Sequence, residues 1–516
     1  MPNLSRLQRQ ADSCFQQGDF DRTEKLCAGI LQHRPQDFDA LHLLGLLNFQ
    51  RRRLVEALHF LSAALKANST SAEAMSNLGL ALQAAGRCEE AISSYRNALR
   101  LAPDHPEILY NLGNACLELG RDAEALSAYD DVLAIAPGHV GALVNRGNAL
   151  LRFNRPVEAM ASYDAALAAM PGHPQILTNR GHALRRLDRP GEALADFRAA
   201  LGAAPEFAEA HFEAAMAHLT LGDFDAGWKA YEWRWKTAAF ARHRRHSATP
   251  PWLGEQPISG KTILLEAEQG FGDTIQFMRY APLLASRGAK VICAVQPELL
   301  PLLSQFDGVT VTACGAPLAP FDLHCPLLSL PLALQTRPAT IPASVPYLSA
   351  TAERLDHWRD RLPPAQRRAG FVWSGSPSHK NDNNRSIALA RLAGLFEDAP
   401  LQCLGLQTDL RAADREVLAG LPGLIDLGQG IRDFADTAAI IALLDVIVSV
   451  DTAAAHLAGA LGKPVMILLP HAADFRWMRG RDDTPWYPTA KLFRQPAFGD
   501  WDSVIARVGD ELRHWK

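Results

Sequence analysis

The sequence lacks a long uninterrupted apolar run, and charge of neither sign dominates it. Its most apolar stretch, residues 438–470, is interrupted by Asp445, Asp451, His456 and Lys463, which argues against a membrane span. The 52 basic and 56 acidic residues leave a net charge of −4, so the electrostatics give no reason to expect nucleic acid as a partner. We therefore expect neither a membrane span nor a nucleic-acid-binding protein.

Paired cysteines and an apolar leader segment are missing as well. The 8 cysteines are scattered without a CxxC pair, so we expect reduced, buried thiols rather than a disulfide framework or a zinc site. The polar start, Met1 to Arg6, predicts no signal peptide. These features favour a cytoplasmic protein, and 516 residues with 48% hydrophobic content predict two or three domains with ample core.

In the first half, a glycine recurs every 34 residues. An alanine follows each glycine after twelve residues and a bulky residue after sixteen, and most copies have a proline after twenty-four. The four sets are Gly45, Gly79, Gly113, Gly147 and Gly181; Ala57, Ala91, Ala125, Ala159 and Ala193; Leu61, Tyr95, Tyr129, Tyr163 and Phe197; and Pro103, Pro137, Pro171 and Pro205. This period is typical of tetratricopeptide (TPR) helix pairs, in which small residues allow close packing. We predict an α-solenoid of about seven repeats over residues 1–237.

The second half loses this period and alternates short β-rich runs with helical segments. The predicted strands are Thr262–Glu266, Lys290–Val295, Val309–Thr312, Ala369–Trp373, Leu401–Leu406, Asp445–Val450 and Val465–Leu469. Such alternation predicts parallel sheets with helices on both faces, an α/β fold. We expect a linker at 238–260, whose basic residues 242–246 are either solvated or contact an anionic ligand. Two Rossmann-like lobes would follow, at 261–345 and 346–516, with ligands bound beyond the carboxyl ends of their strands.

A glycine-rich turn follows the first of these strands. Gly270 and Gly272 permit a tight turn and the close approach of a ligand to the backbone. Asp273 ends the turn and has two interpretations. It is either a cap for the helix that follows or a cleft carboxylate that takes a proton from an acceptor hydroxyl.

A second strand-to-helix turn contains Asp451, Thr452 and His456. Thr452 is placed to cap the helix, whose first N–H groups would then face the cleft and hold a diphosphate. His456 lies one turn into the helix, on the same face as Thr452. A lone helical histidine is often structural, but its spacing from Asp451 at the end of a strand favours a functional role.

A third polar segment, residues 373–386, also follows a predicted strand. It contains Ser374, Lys380 and Arg385, and the two basic side chains are suited to neutralising a nucleotide diphosphate. The alternative is a solvated loop. Asp500-Trp501-Asp502 is the one DxD in the second half, and we expect it to cap the last helix rather than hold a metal.

These motifs resemble those of the bacterial heptosyltransferase-type glycosyltransferases, whose GT-B fold joins two Rossmann-like lobes. The resemblance implies that Asp273, in the GxGD turn, is the base. It also implies that Arg385 and the DTxxxHLA stretch from Asp451 contact the donor, although Ala453 stands where that family usually has glycine. The donor-binding set would be Gly270, Gly272, Ser374, Lys380, Arg385, Asp451, Thr452 and His456. GT-B enzymes generally need no metal, so no cofactor is expected beyond the nucleotide-sugar co-substrate.

The whole chain resembles bacterial proteins that join TPR repeats to such a catalytic module, and segment 474–477 is one of their shared motifs. The architecture is also similar to O-GlcNAc transferase, in which solenoid asparagines hold the peptide backbone of protein substrates. Here the corresponding column is Asn77, Asn111, Asn145 and Asn179, at a position where asparagine is common in TPR repeats. The resemblance implies sugar transfer to a protein acceptor, flagellin in some relatives. The alternatives are a lipopolysaccharide or exopolysaccharide acceptor, or an inactive TPR adaptor.

Overall fold

The computed structural model describes residues 4–241, 249–306, 308–379, 381–397 and 400–515. The chain divides into two compact units, Met1–Arg180 and Gly181–Lys516. The division falls inside the helix Pro174–Arg186, so the second unit includes the last helices of the predicted repeats. The basic residues 242–246 lie outside the described residues.

The first part of the chain is built of antiparallel helix pairs. Its helices are α1 (Leu4–Gln16), α2 (Phe20–His33), α3 (Phe38–Gln50), α4 (Leu54–Ala67), α5 (Ala72–Ala84), α6 (Cys88–Leu101), α7 (Pro106–Glu118), α8 (Asp122–Ile135), α9 (Val140–Arg152), α10 (Pro156–Ala169), α11 (Pro174–Arg186), α12 (Pro190–Ala203), α13 (Ala208–Thr220) and α14 (Phe224–Tyr231). A 3-10 helix, Glu232–Lys236, follows α14. The predicted helical solenoid is confirmed.

The repeat glycines lie where two helices of a pair approach most closely. A Cβ atom added at Gly79 would lie 2.5 Å from Cε1 of Tyr95, and one at Gly113 would lie 2.6 Å from the same atom of Tyr129. Both tyrosines are fully buried. The small and bulky positions of the 34-residue period are therefore the two sides of one contact.

The second part contains two parallel sheets. Its strands are β1 (Thr262–Glu266), β2 (Lys290–Val295), β3 (Val309–Ala313), β4 (Leu323–Pro326), β5 (Arg368–Val372), β6 (Gln402–Gly405), β7 (Leu424–Asp426), β8 (Val446–Val450), β9 (Val465–Leu469) and β10 (Ala490–Arg494). The first sheet has the order β3-β2-β1-β4 and the second β10-β9-β8-β5-β6-β7, with parallel pairing throughout. The predicted α/β fold with parallel sheets is confirmed.

Helices precede, connect and follow these strands. They are α15 (Ala238–Ala241), α16 (Phe271–Phe277), α17 (Ala281–Ser286), α18 (Leu300–Leu303), α19 (Leu330–Ala333), α20 (Ala352–Arg359), α21 (Asp382–Arg385), α22 (Leu389–Glu397), α23 (Ala412–Ala419), α24 (Phe434–Ala442), α25 (Ala453–Ala460) and α26 (Trp501–Arg513). Asp500 caps α26 and accepts a hydrogen bond from the Ser503 N–H at 3.0 Å, as predicted.

The strand order fixes where ligands have access. In the first sheet, β2 lies on one side of β1 and β4 lies on the other. In the second sheet, β5 and β8 are neighbours, and the strands that follow them, β6 and β9, lie on opposite sides of this pair. A crevice opens at the carboxyl ends of strands where the order reverses in this way. The three predicted turns follow β1, β5 and β8, so all three lie at such positions.

The thiols agree with the expectation from the sequence. All eight cysteines are free, seven of them are buried, and Cys314 is half-buried. Within the described ranges, no helix combines the length and apolar character needed to cross a membrane.

Candidate functional site

The turns that follow β1 and β8 meet in the second unit. A Cβ atom added at Gly272 would lie 2.8 Å from Cδ2 of His456 and 3.5 Å from the Cα of Ala453. Only glycine permits this approach without a shift of the buried imidazole. Residues separated by about 180 positions in the sequence are thus brought together, and both turns belong to one site.

The Asp273 side chain has two partners among the described residues. Its Oδ2 accepts a hydrogen bond from the Gly270 N–H at 2.8 Å, so the side chain caps the start of α16. Its Oδ1 accepts from Nη2 of Arg476 in an ion pair. The capping function is therefore present, and a role as base stays a prediction.

Arg476 is a site residue to which the sequence assigned no role. Its guanidinium is almost buried, and it donates to Gln276 Oε1 at 2.6 Å and to Asp474 Oδ1 at 2.8 Å in addition to Asp273. Burial works against the charged form, but Asp474 and Asp273 outweigh it and raise the pKa of Arg476. Each guanidinium nitrogen donates to a protein partner, and two of these partners are the carboxylates of Asp273 and Asp474, so Arg476 holds the Asp273 side chain in place. The motif at 474–477 was visible in the sequence, but no spacing rule links it to a residue 203 positions earlier.

Asp451 lies at the end of β8 in a poorly solvated position. Burial, and then repulsion by Asp474, raise the pKa of the Asp451 carboxyl to about 6. Its Oδ1 lies 4.0 Å from Nε2 of His456. The predicted spacing of these two residues therefore places them side by side, with a carboxyl group that takes up a proton at mildly acidic pH.

His456 is held on two sides. Its Nδ1 lies 3.0 Å from the Tyr487 hydroxyl, and its ring stacks on Trp477 at a centroid distance of 5.3 Å. Burial, followed by the positive charges of Arg476 and two further arginines, lowers the pKa of His456 well below its ordinary value. The imidazole is therefore neutral, which suits a role in shape and hydrogen bonding rather than charge.

Arg385 joins the third segment to the second turn. Its Nη1 donates to the backbone oxygen of Asp451 at 2.8 Å. A Cβ atom added at Gly375 would lie 2.5 Å from Nη2 of Arg385, so the guanidinium lies over that glycine. Ser374 precedes it and is buried. Lys380 lies outside the described residues.

Thr452 precedes α25 as predicted, but its side chain does not cap the helix. Its hydroxyl instead lies 3.1 Å from Ser449 Oγ, a buried residue of β8. Thr452 therefore leaves the N–H groups of Ala453 and Ala454 without a side-chain cap, whereas the Ala455 N–H donates to the Thr452 backbone oxygen at 3.1 Å.

Several buried polar atoms around these turns make no hydrogen bond within the described part of the chain. They are Ser374 Oγ, Asn384 Nδ2, Arg385 Nε and Gln276 Nε2. Buried polar atoms are normally paired, so a group of them is typical of a place where water or a polar ligand binds. Among the described residues, no three His, Cys, Asp or Glu side chains come together as a metal would require.

In the first unit, most of the asparagine column bonds to the preceding repeat. Asn77 Nδ2 lies 2.9 Å from His42 Nε2, and Asn179 Nδ2 donates to Asn148 Oδ1 at 3.2 Å. Asn145 donates to Asn114 at 2.8 Å and to the Tyr110 hydroxyl at 3.2 Å. In the described part of the chain, Asn111 makes no side-chain hydrogen bond. The sequence predicted the asparagine column but not these hydrogen bonds. The acceptors Asn114 and Asn148 directly follow a repeat glycine, but an asparagine stands at that position in only two of the repeats, so no periodic pattern shows them.

Comparison with known proteins identifies the repeats through a family model, whereas the matches to individual proteins cover only parts of the chain. The tetratricopeptide repeat family matches residues 9–72, 76–140, 136–174 and 178–232. Protein FlbA of Caulobacter vibrioides is 27% identical over 339 residues, 60% of this chain and 55% of FlbA. The UDP-N-acetylglucosamine–peptide N-acetylglucosaminyltransferase of Caenorhabditis elegans is 33% identical over 73 residues, 14% of this chain and 6% of that protein.

The chain thus spans about half the length of one relative and a small part of the other. The crystal structure of MamA is 26% identical with a TM-score of 0.30, and the match covers 31% of this chain and 94% of MamA. The match to the family model identifies the matched residues between positions 9 and 232 as tetratricopeptide repeats, and a region with two parallel sheets follows them.

Proposed function

We propose that the chain is a glycosyltransferase of the GT-B type that moves a sugar from a nucleotide-sugar donor to a protein acceptor held by its TPR repeats. The observation that carries the proposal is the contact of Gly272 with His456. It unites the turns after β1 and β8, each of which contains a motif that resembles those of the heptosyltransferase-type enzymes. The short likeness to a peptide N-acetylglucosaminyltransferase supports the same class of acceptor.

The proposed chemistry assigns different steps to the two sheets. Asp273 removes the proton from the acceptor hydroxyl as its oxygen bonds to the anomeric carbon of the sugar. The bond from that carbon to the diphosphate breaks, and negative charge grows on the departing phosphate oxygen. Arg385 and the first N–H groups of α25 would stabilise that charge, and the sequence assigns the same role to Lys380, which lies outside the described residues.

Two buried polar atoms without a hydrogen bond fit a polar ligand on the second sheet, and one of them, Arg385 Nε, also lies 3.6 Å from Asp382 Oδ1. Ser374 Oγ and Arg385 Nε are buried without a hydrogen bond among the described residues, and both belong to the segment after β5. A nucleotide diphosphate offers acceptors for both. Asp451 and His456 follow β8, the neighbour of β5, and would contact the same ligand from the β8 side of the crevice.

A thermal-shift panel of UDP, GDP, ADP and CMP tests the donor site. A ligand that binds only the folded chain stabilises it by about 2.7 kcal/mol at a concentration one hundred times its Kd. We expect one nucleotide to raise the melting temperature in a concentration-dependent way, and Arg385→Ala to remove the effect. Arg391→Ala is the matched control, because Arg391 lies in the same part of the chain in an exposed ion pair with Asp502. If no nucleotide stabilises the wild-type chain, the donor-site assignment is wrong.

A further inference from the structure

Arg234 is buried where the last TPR helices meet the first sheet. It belongs to the 3-10 helix after α14, and its side chain has no exposed surface. Its Nε and Nη2 each donate to one carboxylate oxygen of Glu268, both at 2.9 Å. Glu268 lies just before the glycine turn that ends at Asp273. A planar guanidinium bonded at two points fixes both the position and the orientation of a carboxylate.

Further bonds complete this buried network. Arg234 Nη2 also donates to Ser329 Oγ at 2.8 Å, and its Nη1 donates to Glu232 Oε1 at 2.7 Å. The Leu328 N–H donates to Glu268 at 3.1 Å. Each charge is paired, which is the condition under which a buried ion pair is tolerated.

Gln269, the residue after Glu268, is bonded to the last residue of α14. Gln269 donates from Nε2 to the Tyr231 hydroxyl at 2.8 Å, and its backbone oxygen accepts from Gln296 Nε2 at 2.8 Å. Two consecutive residues before Gly270 are therefore tied to residues 231–234. Because glycines give the turn itself little stiffness, its position depends on these contacts.

Apolar contacts connect this helix pair to the residues around Arg476. The ring of Trp228 in α14 packs edge-on against Phe475 at 5.6 Å and against Phe277 at 6.2 Å. Phe475 precedes Arg476, and Phe277 ends the helix that carries Asp273. One helix therefore contacts both elements that present the Asp273–Arg476 ion pair.

We infer that the last TPR helix pair (α13, α14 and the 3-10 helix Glu232–Lys236) is a positioning element of the proposed site, and that Arg234 is its main positioning residue. The effect on turnover rests on the proposed function, whereas the effect on the turn does not. Arg234 acts through Glu268 and touches no reacting atom. A displacement of Asp273 by about 1 Å is enough to slow a reaction about 100-fold.

Hydrogen exchange read by mass spectrometry on the full chain tests the positioning directly. Arg234→Lys keeps the charge but loses the two-point bond. Arg234→Met combined with Glu268→Gln removes the two most deeply buried charges and leaves Glu232, which is half-buried and still accepts from Ser329 Oγ at 2.8 Å. We expect amides of residues 267–278 to exchange at least about tenfold faster in both variants, because charge-assisted hydrogen bonds are lost. Amides of α3 to α8 should be unaffected.

Arg337→Met is the matched control. Arg337 Nε pairs with Asp225 of α14 at 3.0 Å, but both side chains are more than 60% exposed. It therefore removes an arginine bond to the same helix without touching the turn, and it should leave exchange at residues 267–278 unchanged. If Arg234→Lys fails to fold, the double variant decides.

Kinetics of sugar transfer separate positioning from binding. The Arg234 variants should lose about 100-fold in kcat with donor KM within about twofold, and Arg337→Met should match the wild type. Unchanged exchange of residues 267–278 in the folded double variant would overturn the inference. A wild-type chain that transfers no sugar would instead overturn the proposed function, while the exchange result would still decide whether Arg234 positions the turn.

Discussion

At the scale of single residues, Asp273 is the side chain on which the proposed sugar transfer depends. It caps α16 through the Gly270 N–H and pairs with Arg476, and both contacts hold its carboxylate in one place. A carboxylate that accepts a proton in the transition state has to be fixed in this way. The proposed role of Asp273 as a base is therefore compatible with its contacts to Gly270 and Arg476.

Asp273→Asn should lower kcat at least about 100-fold, the lower range of what a general base contributes, because the amide cannot take a proton. Donor affinity should change little, since an amide oxygen can still accept from the Gly270 N–H. Steady-state kinetics and calorimetric titration measure the two quantities. Asp474→Asn is the control, because it removes the other carboxylate partner of Arg476 and leaves Asp273 intact. Equal turnover in Asp273→Asn and the wild type would reduce Asp273 to a helix cap.

Asp451 predicts a dependence of stability on pH. Its pKa is raised by burial and by Asp474 from 3.8 to about 6, so the folded chain binds its proton more tightly than the unfolded chain. Stability from this group is complete below pH 3.8, falls as the pH rises to 6, and is constant above that. The loss is on the order of 1–3 kcal/mol.

Scanning calorimetry of the wild type and Asp451→Asn at pH 4 to 7 measures the contribution of Asp451 to the free energy of unfolding. The neutral amide removes the buried charge, so the variant should melt higher than the wild type at pH 7, and the difference should shrink toward pH 4. The comparison cancels the contribution of the other carboxylates. A difference that does not change across this range would contradict the raised pKa.

At the scale of elements, the contact between the two turns depends on one glycine. An alanine Cβ at Gly272 would meet the buried imidazole of His456 at 2.8 Å, and that ring is held by Tyr487 and Trp477. We expect Gly272→Ala to destabilise the second unit by about 1–3 kcal/mol and to impair transfer.

Gly270→Ala is the matched control, because its Cβ would meet only the tip of the Asp273 carboxylate, at 3.2 Å. The backbone of Gly270, at φ −71°, is one that alanine adopts freely. Thermal unfolding compares the two variants. If they are equally stable, the contact of the two turns does not hold the site together.

The asparagine column predicts two different outcomes along one line. Asn145 gives its amide to Asn114 and Tyr110, so Asn145→Ala should destabilise the repeats by about 1–2 kcal/mol. Asn111 has no such bond in the described structure, and Asn111→Ala should leave stability unchanged. If the column holds a peptide, Asn111→Ala should still weaken acceptor docking, about two- to tenfold. Unchanged docking would assign the column to structure alone.

Most elements could be predicted because their signals are local. The 34-residue period gave the helix pairs, and β1, β2 and β9 have the predicted bounds. Three strands, β4, β7 and β10, were missed. Leu424–Asp426 has only three residues, and Leu323–Pro326 ends in a proline that is unusual in a strand. Between β1 and β2 the chain forms two helices, α16 and α17, because Pro282 starts a new helix after a 3-10 turn.

The site was predictable only in part. Motif residues such as Asp273 and His456 stand at strand ends and were found by position. Arg476, Tyr487 and Arg234 were missed as partners, because each meets its neighbour through the tertiary fold. Thr452 was expected to cap α25, but its hydroxyl bonds to Ser449 instead. Nothing local in the sequence distinguishes these two uses of a threonine.

At the scale of the whole molecule, the boundary between the two units decides how the repeats can be tested. The second unit begins at Gly181, and α12 packs on α13, which belongs to the proposed positioning element. A shortened chain should therefore begin before α11, at residue 173. It loses Asn77, Asn111 and Asn145 but keeps every residue assigned to the two turns.

Mass spectrometry of glycosylated proteins tests whether the chain transfers sugar to a protein that is docked on its repeats. The full chain, Asp273→Asn, or the chain shortened by residues 1–172 would be added to native cytosol together with a sugar conjugate of the nucleotide that stabilises the wild type. We predict that only the full chain adds sugar to its acceptor protein, while the shortened chain still binds the nucleotide. Full-rate modification of the same protein by the shortened chain, or by Asp273→Asn, would contradict the account.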